Sequence, residues 1–119
     1  MSIITLLTDF GLSDPFIGVM KGVIWSIAPA IQIADLTHEI PPQNVRDGAY
    51  AIADAFPYFP AGTVHVCVVD PGVGSTRRSM VAAIGGQYFV GPDNGLFSLL
   101  IEKAADLTTP PVYIALNRP

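Results

Sequence analysis

The side chains able to do chemistry gather in four short segments of the 119-residue chain. In Thr8-Asp9-Phe10-Gly11 a carboxylate follows an apolar run, where it can accept two hydrogen bonds from a vicinal diol such as that of ribose. The same Asp9 could do no more than cap its loop. Asp35, Thr37 and His38 close a second apolar run. His38 has the chemistry of a base or a metal ligand, although a lone loop histidine is more often only hydrogen-bonded. The third segment, Asp70 to Arg78, leaves an apolar run, turns on Gly72 and Gly74 and ends in two arginines. Those glycines permit positive φ and close ligand approach. Gly-Val-Gly lacks the third glycine of a dinucleotide fingerprint, and no Gly-Lys-Ser/Thr of a phosphate loop follows. Asp70 and Arg77 can pair across the turn and hold a water or hydroxide, or the pair could simply pin the loop. The fourth segment, Asp93-Asn94-Gly95, is a tight-turn sequence and could be nothing more. His65, inside an apolar run, and Trp25 read as packing residues. Two isolated histidines without His-Glu-x-x-His spacing, and a single cysteine, Cys67, give no metal site and no disulfide framework.

The elements that must position these segments are legible from periodicity. Ile3–Leu7, Ile31–Leu36 and Thr63–Val69 read as strands, the last almost without a polar face, as in a central parallel strand covered on both sides. Phe16, Val19, Met20, Val23, Ile24 and Ile27 recur at helical spacing, with Asp14 as cap, Pro15 in the first turn and Pro29 as terminator. A second helix runs from Val45 to about Phe56 with Asn44 as cap. Met80–Ile84 and Tyr88–Val90 flank Gly85-Gly86 as a hairpin, Leu96–Ala105 is a third helix and Val112–Leu116 a last strand. The order predicts an α/β, Rossmann-like three-layer sandwich with a mostly parallel sheet and strands one, two and three at its centre. Such sheets bind ligands at the carboxyl ends of their strands. Asp9, Thr37 and Asp70 would then share one edge.

Half of the residues are hydrophobic, 13% are charged and the mean hydropathy is +0.48, which fits a folded single domain and not a disordered chain. A net charge of −4 does not provide the basic footprint of a nucleic-acid surface. No apolar run approaches the length of a membrane span, and the short apolar start has no basic flank of a signal peptide. These features point to a cytoplasmic protein with no membrane and no nucleic-acid partner.

Several segments together resemble the S-adenosylmethionine hydroxide adenosyltransferase family, related to the fluorinating and chlorinating adenosyl enzymes. They are Leu7-Thr8-Asp9-Phe10-Gly11 with Asp14, Gly18 to Ile24, Asp35-Leu36-Thr37-His38-Glu39-Ile40-Pro41, Phe59 to His65, Val69 to Gly74, Arg77-Arg78 and Gly91 to Phe97. The resemblance implies displacement at C5′ of S-adenosylmethionine by water, giving adenosine and methionine, with no cofactor because the sulfonium is already a good leaving group. It implies Asp70 and Arg77 as water-directing residues, and Asp9, Phe10, Asp14, Thr37, His38, Val73 and Asn94 as the substrate-binding set. Asp9 would take the ribose diol. The halogenating relatives carry an uncharged residue where Asp70 stands, so Asp70 favours water over halide; the alternatives are a halide adenosyltransferase and a non-catalytic adenosine-binding fragment. The family's later motif and β-rich C-terminal domain are not in this sequence. The resemblance therefore implies an N-terminal domain over residues 1–119 that is catalytically weak or silent alone and self-associates, as a homotrimer.

Overall fold

The computed structural model describes residues 2–69, 79–104 and 112–116. Asp70, Val73, Arg77 and Arg78 lie outside them. The order is β1 (Ile3–Thr8), α1 (Phe16–Ile27), β2 (Gln32–Thr37), α2 (Val45–Ala55) and a short 3-10 turn (Phe56–Tyr58), then β3 (Val64–Val68), β4 (Ser79–Ile84), β5 (Gln87–Pro92), α3 (Ser98–Ala104) and β6 (Val112–Leu116). One sheet holds the strands in the order β2-β1-β3-β5-β4-β6. β1 pairs in parallel with β2 and β3, and β3 with β5; only β4 runs against the others. The mostly parallel α/β architecture is thus as the sequence predicts, and β4–β5 is the expected hairpin.

The centre differs. β1 and β3 are interior, but β2 is an edge strand. The chain steps one way from β1 to β2 and then back past β1 to β3. With right-handed crossovers on both steps, α1 and α2 fall on opposite faces, which makes the three layers.

The core lies on the α2–α3 face. Leu7, Cys67, Val69, Ala82, Ile84 and Phe89 of the sheet region meet Ile52 of α2 and Leu96, Phe97 and Leu100 around α3. Alternation along β3 buries His65 and Cys67 toward this core and leaves Val64, Val66 and Val68 half-buried on the other face. Asn44 caps α2 as expected, its Oδ1 accepting from Asp47 N at 3.0 Å.

α1 departs from its expected packing. Ile17 is its one buried residue among the described ones, whereas Phe16, Val19, Val23 and Ile27, at the predicted helical spacing, face solvent. Trp25 is also exposed, with its Nε1 donating to Ile31 O at 2.9 Å, so it ties the end of α1 to the start of β2 and is not a core residue.

Candidate functional site

Because β1, β2, β3 and β5 are parallel neighbours, their carboxyl ends fall on one edge of the sheet. That edge collects Asp9 and Phe10 after β1, Thr37 and His38 at the end of β2, Val69 after β3 and Asn94 after β5. The register puts Leu7 opposite Thr37 across a bulge, so the loops after β1 and β2 leave the sheet side by side.

Two hydrogen bonds donated by backbone N–H groups join those loops. Gly11 N donates to His38 O at 2.8 Å, and Gln43 N donates to Asp9 Oδ2 at 2.6 Å. Gly11 has φ +72°, a turn open to glycine without strain. Gln43 has φ +63°, and it is the one non-glycine residue in the left-handed region among the described residues. The strained backbone therefore sits where it aims an N–H at the Asp9 carboxylate. Asp9 is half-buried, and Oδ2 still has a lone pair to offer beside that N–H.

His38 is 3% exposed and both ring nitrogens are occupied, Nδ1 by the Thr8 hydroxyl at 2.8 Å and Nε2 by Asp35 Oδ1 at 2.7 Å. Its ring is a hydrogen-bonded brace between the loops. Asp35 also takes Lys21 Nζ on Oδ2 at 2.6 Å. Burial pulls the Asp35 carboxyl upward, but the hydrogen bonds and charges of Lys21 and His38 outweigh it and hold the group below its ordinary value.

The other expected site residues are engaged locally. Thr37 Oγ1 accepts from Glu39 N at 3.0 Å, and Asp14 Oδ1 accepts from Phe16 N at 3.0 Å at the entry to α1. The Phe10 ring lies 4.8 Å from that of Phe16. Asn94 donates Nδ2 to Val69 O at 2.9 Å and accepts Leu96 N on Oδ1 at 3.0 Å, tying the end of β3 to the turn before α3. Asp9, Phe10, Thr37 and His38 are brought together; Asp14 stands at the α1 end of the Phe10 loop, and Asn94 lies two strands away on the same edge.

Lys21, Thr8 and the Gln43 backbone were not singled out by residue type. The signal that could have found the first is Asp35-x-x-His38 closing a strand, a spacing that lets one carboxylate share a histidine and a further cation. His65, expected to pack, does so: it stacks on Phe89 at 4.9 Å between ring centroids and is fully buried. No helix among the described residues is long and apolar enough to cross a membrane.

Residues 4–117 match the family model for the SAM hydroxide adenosyltransferase N-terminal domain. The chain is similar to a protein of Thermus thermophilus named (R)-S-adenosyl-L-methionine hydrolase, 54% identical over 78% of this chain and 36% of that protein. It is similar at 29% identity to a protein of an Actinoplanes species named Fluorinase, over 85% of this chain and 42% of that one. A crystal structure of an uncharacterized conserved protein from Thermotoga maritima superposes with a TM-score of 0.87 at 36% identity, covering 98% of this chain and 46% of that one. The chain thus spans less than half the length of each of these relatives. It belongs to the SAM hydroxide adenosyltransferase family, whose N-terminal domain it matches.

Proposed function

We propose that the chain is the ribose-clamping and water-directing part of a hydrolase that converts S-adenosylmethionine and water to adenosine and methionine. The observation that carries this reading is the Asp9 carboxylate, held through Oδ2 by Gln43 N on the sheet edge where parallel α/β sheets bind ligands. The family match supports it, as does 54% identity to a protein named as the hydrolase against 29% to one named Fluorinase.

In this reading the ribose hydroxyls donate to Asp9, and Phe10, Asp14, Thr37, His38, Val73 and Asn94 complete the pocket directly or by holding its loops. Asp70, fixed by Arg77, orients the attacking water and accepts its proton. The water oxygen bonds to C5′ as the C5′–S bond breaks, and the electron pair leaves on sulfur as the neutral thioether of methionine. The chemistry asks for aim and desolvation, which are positioning tasks, and no cofactor takes part. The protein works as a homotrimer in the cytoplasm.

The test is incubation with S-adenosylmethionine in excess chloride, with products separated by chromatography. Adenosine and methionine are the expected products. Chlorodeoxyadenosine as main product would replace water by halide as the nucleophile, and binding without any product by a full-length version would leave an adenosine-binding module.

A further inference from the structure

A chain of hydrogen bonds runs from α1 to the residues around Asp9. Lys21 Nζ donates to Asp35 Oδ2 at 2.6 Å, and His38 faces Asp35 Oδ1 through Nε2 at 2.7 Å. An ionised carboxylate only accepts, so Nε2 carries a hydrogen toward Asp35, and Nδ1 is the ring nitrogen that faces Thr8. The Thr8 hydroxyl meets Nδ1 at 2.8 Å, and Thr8 Oγ1 accepts Phe10 N–H at 3.2 Å. Every polar atom in the series has a partner within it, and the series closes on the two residues that flank Asp9. Thr8 is fully buried and His38 nearly so, which leaves water little access to replace a missing link.

We propose that Thr8, His38 and Asp35 are positioning residues for ribose recognition: they fix the backbone on both sides of Asp9 so that its carboxylate meets the 2′ and 3′ hydroxyls in one orientation. The proposal rests on Asp9 as the ribose carboxylate. The Thr8 hydroxyl bridging to Phe10 N sets the turn at Asp9 from one side, and His38 O receiving Gly11 N at 2.8 Å sets it from the other. Gln43 N, in its left-handed backbone, then meets Oδ2 at 2.6 Å only if that turn is kept. A preset carboxylate loses less freedom on binding than one that must be ordered by the ligand.

The experiment is calorimetric titration of adenosine and of 2′,3′-dideoxyadenosine into the chain, with amide hydrogen exchange followed at Phe10 and Gln43. Thr8→Val keeps the side-chain volume and removes the hydroxyl. It should lose about tenfold in adenosine affinity, the scale of one hydrogen bond to a charged group, and less than about twofold for the dideoxy nucleoside. Thr8→Ser should restore both values. Exchange at Phe10 and Gln43 should quicken in Thr8→Val while the β3 amides stay protected. Asp35→Ala, at the solvent-facing end of the chain, carries the same expectation should Thr8→Val fail to fold. Equal losses for the two nucleosides, or unaltered exchange at Gln43, would overturn the positioning role. A wild-type chain that binds both nucleosides alike would overturn the ribose reading instead, and the Gln43 exchange would still decide whether the chain of bonds holds Asp9.

Discussion

At Asp9 the decisive atom is a backbone nitrogen 34 residues away in sequence, that of Gln43. The carboxylate could be placed after β1 from the sequence, because an apolar run ending in Thr-Asp marks a strand end. Its partner could not, because a main-chain N–H carries no residue signature. His38 illustrates the converse. Its type suggested a base or a ligand, and the fold spends both ring nitrogens on Thr8 and Asp35. Asp70 belongs to the same scale. If it directs the attacking water, Asp70→Asn lowers turnover about 10²–10⁴-fold while substrate affinity is retained, because the amide cannot take the proton. Turnover and binding measured on the same preparation check this. Near-normal turnover would return Asp70 and Arg77 to the role of a loop-pinning pair.

Among the elements, β3 was the most legible, because Val64, Val66, Cys67, Val68 and Val69 leave almost no polar face and admit little except an interior strand. Strand order was less legible: whether the chain steps left or right from β2 is set by packing across the sheet, and β2 proved to be an edge. The carboxyl end of β5 tolerates little change. A Cβ on Gly91 would lie 2.6 Å from Cys67 O of the neighbouring strand and 2.9 Å from Phe97 Cζ. The backbone oxygen cannot step aside, so Gly91→Ala should destabilise the fold by about 1–3 kcal/mol, read from urea denaturation.

The buried cross-strand link at His65 predicts a pH dependence. Gln87 Nε2 donates to Phe56 O at 2.9 Å and Phe59 O at 3.1 Å, so Oε1 is left to accept from His65 Nε2 at 2.6 Å, and Nδ1 accepts from the Thr5 hydroxyl at 2.6 Å. Burial pushes the imidazole pKa below its ordinary value, with Gln87 partly opposing. The unfolded chain therefore takes up the proton first. Stability contributed by neutral His65 is present above about pH 6.5 and is lost as pH falls below it toward the folded pKa, with a slope of up to about 1.4 kcal/mol per pH unit. Urea melts between about pH 7.5 and pH 5 should show this slope, and His65→Gln should flatten it. An unchanged slope in the variant would assign the effect to other groups.

For the molecule as a whole, the two faces of the sheet are unequal. α2 and α3 close one core, while α1 leaves Phe16, Val19, Val23 and Ile27 in water, Ile27 at 82% exposure. Helical spacing identified the apolar residues of α1 correctly but not the face they would take, since periodicity says which residues share a side and not what lies against it. Exposed apolar area of this kind promotes association. Light scattering behind size-exclusion chromatography should give a mass above the 12.6 kDa of one chain, and a monomer at every concentration would contradict it.

The proposed reaction is attack of water at C5′ of S-adenosylmethionine. Its most direct test is incubation of the chain with S-adenosylmethionine in water enriched in oxygen-18, with mass spectrometry of both products. Adenosine should be released slowly with the label in its 5′ hydroxyl, together with unlabelled methionine. Unlabelled adenosine or a halogenated nucleoside would contradict it.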